Sequence, residues 1–186
     1  NNLAGERQVT AEAALTIPEA AQVAEISSVQ LRRWIESFGD DAPGHIPRTG
    51  RGADALISRR TTAQVTVAAR LVEMNVAVRT ALDAGLAFAH VGDEDRGPCE
   101  EFSRGATWLI ASPLRTRIVA IGDGLGRSHP DAYNRIDDAL KIDAQHERCA
   151  FHVLPLTGFV AELDERIAWV LREKRPRNTR LRGATE

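Results

Sequence analysis

Apolar residues recur at helical spacing in two short segments near the start of the chain. Residues 17–26 read as a first helix with Pro18 near its first turn, where a missing N–H costs nothing, and with Ala20, Ala21 and Ala24 allowing another helix to approach closely. Residues 27–34 follow at once. Leu31 and Trp34, three apart, can face a core, leaving Gln30, Arg32 and Arg33 to be presented by the same short helix. Ser27 is placed to cap it by accepting from an otherwise unpaired backbone N–H. Two short helices joined by a tight turn predict a helix-turn-helix.

The pattern then changes. Residues 38–44, Phe-Gly-Asp-Asp-Ala-Pro-Gly, read as a turn, and residues 46–58 hold two short stretches around Arg48-Thr49-Gly50-Arg51-Gly52. Glycines at such a tip permit positive φ, so a β-hairpin, the wing of a winged helix-turn-helix, is expected. Ser58 can cap a helix carrying Val65, Ala68, Leu71 and Val72 at spacings of three and four, which breaks at Asn75. A further helix is expected over 78–91. The polar, Gly- and Pro-punctuated stretch 92–98 then reads as a linker.

Beyond it, residues 107–112 and 117–121 look like two strands of a hairpin, and residues 149–154 like a third. Residues 130–142 could form a helix. Thr157 is placed to cap a last helix carrying Phe159, Val160, Leu163, Ile167, Val170 and Leu171. The expected class is α+β: a flexible segment over 1–15, a winged helix-turn-helix domain over 16–91, the linker, a small α+β domain over 99–174 and a basic flexible tail over 175–186.

Composition refines this picture. With 43% hydrophobic and 27% charged residues the chain has ordinary soluble proportions, and the lack of a long apolar run or signal peptide predicts a cytoplasmic protein. Cys99 and Cys149 suggest no disulfide framework. The net charge of −2 argues against a nucleic-acid partner until its distribution is considered. Over residues 44–80, Arg48, Arg51, Arg59, Arg60, Arg70 and Arg79 are opposed only by Asp54 and Glu73. In the tail, Arg172, Lys174, Arg175, Arg177, Arg180 and Arg182 are opposed by Glu173 before the final Glu186. Arginine suits phosphates and guanine edges, although a high-GC genome would also enrich it.

On Glu19-Ala20-Ala21-Gln22-Val23-Ala24, Ile26-Ser27, Leu31-Arg32-Arg33-Trp34, Pro47-Arg48, the glycine-rich wing, Ser58 and Val65, Ala68 and Leu71, the first half resembles the MerR family of winged-helix transcriptional regulators. The resemblance implies that Ser28, Gln30, Arg32 and Arg33 lie in or beside the major groove, with Arg48 and Arg51 at the flanking backbone. Arg59 and Arg60 join the expected DNA-binding set. Trp34 stands where the family carries an aromatic residue, with core packing its main expected role and a phosphate contact a lesser one. Ala55-Leu56-Ile57 departs from the family's wing pattern, Glu25 and Asn75 replace glycines, and the long dimerisation helix is absent. A dimer would therefore use the last helix or the strands of the second half.

Other chemistry is thinly represented. Cys99, Cys149, His129, His146 and His152 lack metal-ligand spacing, so no metal or other cofactor is expected. His152 reads as a core histidine, and His90 as a residue near the last carbonyls of its helix. Gly122-Asp123-Gly124-Leu125-Gly126 lacks phosphate-loop spacing, and Asp137-Asp138 and Glu100-Glu101 read as solvated faces. No nucleophile motif suggests an enzyme. Trp108, Trp169, Phe151 and Phe159 read as core of the second half rather than as a ligand pocket. The expected function is a dimeric, sequence-specific transcriptional regulator bound to double-stranded DNA, with RNA polymerase as a further partner. A small-molecule effector has no support in the residues, and no membrane is expected. A protein-interaction adaptor and an excisionase-like architectural factor remain the alternatives.

Overall fold

The computed structural model describes residues 14–38, 44–50, 55–92, 95–103, 105–111, 116–121 and 152–173, which hold five helices and two small antiparallel sheets. The mixed helix and sheet agrees with the expected α+β class. No helix among these residues is long and apolar enough to cross a membrane.

The first strand, β1 (Ala14–Thr16), takes its first two residues from the segment predicted to be flexible. It pairs antiparallel with β2 (Leu56–Ser58), setting Leu15 opposite Ile57, and both side chains are fully buried. Ala14 and Leu15 thus belong to the fold, because three residues are too few to display the alternation by which a strand is read. Helix α1 (Ile17–Val23) follows, its start closed by Glu19, whose Oε2 accepts from the Thr16 N–H and hydroxyl, each at 2.7 Å. It ends three residues short of the predicted bound. Glu25 takes φ 59°, and the Ile26 N–H turns back to Ala21 O at 3.0 Å. A left-handed residue at that point satisfies the last carbonyls and stops the helix.

Ser27 caps α2 (Ser28–Ser37) as expected, accepting from the Gln30 N–H at 3.1 Å. Ser58 likewise caps α3 (Arg59–Glu73), accepting from Thr61 N–H at 3.2 Å. Asn75 has φ 65°, with the Val76 N–H returning to Leu71 O at 3.0 Å, and α4 (Val78–His90) runs back along α3. Gly85 lies directly against the Gln64 backbone of α3, and its lack of a side chain allows that close packing, while Ala63, Ala81 and Ala84 are buried in the same core. Buried hydroxyls on α3 find partners one turn back along their own helix or at its cap: Thr66 Oγ1 donates to Thr62 O at 2.8 Å, and Thr62 Oγ1 to Ser58 O at 2.9 Å.

In the second half β3 (Ala106–Ala111) is flanked by β4 (Thr116–Ile121) and β5 (His152–Pro155), all antiparallel, in the order β4-β3-β5. The last helix, α5 (Phe159–Glu173), is not capped by Thr157. That hydroxyl instead accepts from the Thr107 N–H at 2.9 Å. The helix start is satisfied by Glu101, whose two oxygens accept from the Gly158 and Val160 N–H groups at 2.9 and 3.0 Å, so a carboxylate stands where the helix dipole favours one. The predicted helix over 130–142, the glycine loop over 122–126 and the basic tail lie outside the described residues.

The two halves share one hydrophobic core. Phe159 of α5 meets Phe88 of α4 edge to face at 5.5 Å, and α5 packs on α1. Within the predicted linker Arg96 is buried, its guanidinium donating to the carbonyls of Phe88 and Val91 at 3.1 and 2.6 Å. It therefore closes the C-terminal end of α4 and anchors the chain to it. Phe159 sits in the core as expected and Trp108 is half-buried. Trp169 is exposed, contrary to the core role expected of it, because it falls on the opposite side of α5 from Phe159, Leu163, Ile167 and Val170. Phe151 lies outside the described residues.

Candidate nucleic-acid interface

The two faces of α2 are cleanly divided. Leu31, Trp34 and Ile35 are buried, while Val29, Arg32, Arg33 and Glu36 form an exposed row at helical spacing of three and four. Ser28 and Gln30 flank that row, half-buried. Trp34 is only 6% exposed, so its ring belongs to the core. Arg32 and Arg33 have no ion-pair partner among the described residues, leaving two planar guanidinium groups directed outward from one turn. Glu36 stands one turn further on.

The hairpin base is present beside this unit. Thr49 and Leu56 exchange both backbone hydrogen bonds, at 2.9 and 2.7 Å, while Ile46, Ala55 and Ile57 anchor the two arms in the core. Leu56 also continues into β2, so the hairpin is fastened to β1. Arg48 is exposed on it, and Arg51, with the rest of the tip, lies outside the described residues.

At the start of α3 the two expected DNA contacts differ. Arg60 is exposed. Arg59 is held inside by Asp164 of α5, with Nε–Oδ1 at 2.6 Å and Nη2–Oδ2 at 3.0 Å, and its Nη1 approaches the Cys99 sulfur at 3.5 Å. The hydrogen bond to Asp164 raises its guanidinium pKa, against the opposing effect of burial. A phosphate could engage Arg59 only by displacing that carboxylate. The geometry thus gives Arg59 a structural role, bracing α5 against α3. With side chains 15% and 28% exposed the pair is mostly shielded. Asp164→Ala is accordingly expected to destabilise the protein by about 2 kcal/mol, below the full cost of breaking a dry pair, as read from urea denaturation.

A second set of charges ties α5 to α3 and to the turn between α1 and α2. Glu162 accepts from Arg70 at 2.7 Å and from Arg166 at 2.6 Å, while Arg166 also reaches Glu25 at 2.9 Å and the Val23 carbonyl at 3.3 Å. The hydrogen bond from Arg70 leads in holding the Glu162 carboxyl below its usual range. Of these groups only the i,i+4 spacing of Glu162 and Arg166 was visible along the chain. Val29 and Glu36 were likewise missed as members of the α2 surface, although both sit at three- and four-residue spacing from Arg32 and Arg33.

His90 ends α4 as expected, but its Nε2 is buried and has no hydrogen-bond partner among the described residues. Burial first, then the charge of Arg60 and the neighbouring His45, lower its pKa. The folded protein therefore resists protonating it, whereas the unfolded chain takes the proton near the ordinary imidazole value of about 6.5. The stability this residue supports is complete above that value and falls as the pH drops below it toward the lowered folded pKa. A denaturation midpoint that declines over this interval, and declines less in His90→Gln, is expected.

Cys99 is buried, and burial raises its thiol pKa despite Arg59 nearby. Such a thiol resists ionisation and serves packing. His152 is half-buried on β5, and among the described residues no three His, Cys, Asp or Glu side chains gather as metal ligands would. His129, His146 and Cys149 lie outside those residues. Comparison with protein-family models, with curated proteins and with solved structures finds no match to the chain.

Proposed function

We propose that the chain is a sequence-specific DNA-binding transcriptional regulator of MerR-like winged helix-turn-helix type. In this reading α2 enters the major groove, and Arg48, Arg51 and Arg60 meet the backbone beside it. The observation that carries the reading is the outward pair Arg32 and Arg33 on a capped helix whose other side is locked in the core by Leu31, Trp34 and Ile35. A helix about 10–12 Å across fits a major groove about 12 Å wide, and arginine donates in parallel to guanine O6 and N7. Because the net charge is −2, attraction to DNA has to be local, and therefore steeply dependent on salt.

The direct test is selection of bound duplexes from a random pool, followed by mobility shifts of the selected site at low and moderate salt. Enrichment of one sequence, with affinity falling as salt rises, is the expected result. Complete absence of binding at low salt would overturn the reading and favour a protein-interaction adaptor, a role with which Glu36 on the α2 surface and the sequestered Arg59 are compatible.

A further inference from the structure

We propose that Val29 is a specificity-determining residue of α2, reading the 5-methyl group of a thymine within two base pairs of a guanine taken by Arg32 or Arg33. The inference rests on the DNA-binding reading and deepens it. At about 100° per residue, Val29 lies opposite the mean direction of the buried Leu31, Trp34 and Ile35, with Arg32 about 60° to one side of it and Arg33 about 40° to the other. It therefore marks the centre of the exposed face. Val29 is 59% exposed, more than Leu56, Met74, Val91 or Trp169, so most of its hydrocarbon is left uncovered by the chain. The Ser27 cap, accepting from the Gln30 N–H at 3.1 Å, fixes the turn that carries it.

The surroundings select the occupant. An apolar side chain enclosed by two outward guanidinium groups fits a partner that offers hydrocarbon in the midst of negative charge and hydrogen-bond acceptors. The major groove does so: thymine presents a methyl group there, and guanine presents the O6 and N7 acceptors that arginine matches. Val29 is the second residue of α2, and recognition helices read base edges with their first residues. Branching at Cβ holds its side chain close to one rotamer, so little freedom is lost on contact, and its short reach requires α2 to lie directly against the bases. Arg32 and Arg33 follow about 4.5–6 Å further along the helix axis, against base pairs about 3.4 Å apart, which sets thymine within two base pairs of guanine. Glu36, on the same line as Val29, lies about 10 Å further along the axis and leaves the first turns to Val29 and the arginines.

The test is a mobility-shift titration of the full chain with the duplex selected from the random pool, set beside duplexes in which deoxyuridine replaces one thymidine at a time. That exchange removes the methyl group and leaves the base pairing unchanged. One position within two base pairs of a guanine is expected to lose about fourfold in affinity, the contribution of one buried methyl group. Val29→Ser should bind the thymidine and deoxyuridine duplexes equally. Because the readout is a ratio measured within one protein, a change in folding or in general attraction to DNA cancels from it. A selected site without such a thymine, no loss at any deoxyuridine, or a thymine preference that survives in Val29→Ser would each overturn the proposal while leaving the DNA-binding reading in place. Complete absence of duplex binding at low salt would overturn both.

Discussion

Gly85→Ala is expected to destabilise the protein by about 3 kcal/mol, lowering its melting temperature by roughly 6–12 °C. Two effects oppose each other at this site. Alanine in a helix interior is favoured over glycine by about 1 kcal/mol, and a tolerated substitution would also restrict the unfolded chain. Against this, a Cβ at Gly85 would lie 2.3 Å from the Gln64 carbonyl oxygen and 3.2 Å from its Cα. Those are backbone atoms of α3, which cannot rotate aside, so α3 and α4 would have to separate. Separation would strain the bonds from Gln64 Nε2 to the His45 and Leu82 carbonyls, at 2.8 and 3.4 Å, and open gaps between the alanine faces. The clash therefore outweighs the propensity gain. A thermal melt showing Gly85→Ala as stable as the native chain would mean that the helices do not approach this closely.

The devices legible along the chain were those that act over three or four residues. Ser27 and Ser58 cap the helices they precede, and Asn75 adopts the left-handed backbone that ends one, because each side chain or φ angle works on its own turn. Glu25 shows the limit: glutamate has no special preference for φ 59°, and what accompanies it is Arg166, far along the chain. Thr157 looked like a cap by local rules, yet the start of α5 is satisfied by Glu101, and Thr157 is drawn to β3. Arg59 shows the same limit at the candidate site. Its position beside Arg60 suggested a shared role, but 105 residues separate it from the carboxylate that claims it. Hydrophobic periodicity tells which face of a helix turns inward; it does not tell which distant charge will meet a residue at the rim of that face. Trp169 was misjudged for a related reason, since its apolar ring suggested core while its spacing from Ile167 and Val170 places it on the other side of α5.

The paired substitution Arg32→Ala and Arg33→Ala is expected to reduce affinity for the selected DNA site by at least about a hundredfold at moderate salt. One arginine held bidentately to a guanine contributes about 1–3 kcal/mol of discrimination, and loss of two contacts at the middle of that range, about 4 kcal/mol together, exceeds a hundredfold. Both side chains are exposed, and Leu31, Trp34 and Ile35 would still seat α2 in the core, so the melting temperature should change little. The single variants divide the labour. If one arginine reads a base and the other a phosphate, removing the first relaxes sequence preference at one position. Removing the second weakens binding to all sequences alike and lowers the salt dependence by about one unit. Arg79→Ala provides the control, as an exposed arginine at the start of α4 and outside the proposed contacts. A double variant that keeps native affinity and salt dependence would remove α2 from the DNA-reading role. A loss matched by Arg79→Ala would show only general electrostatic attraction.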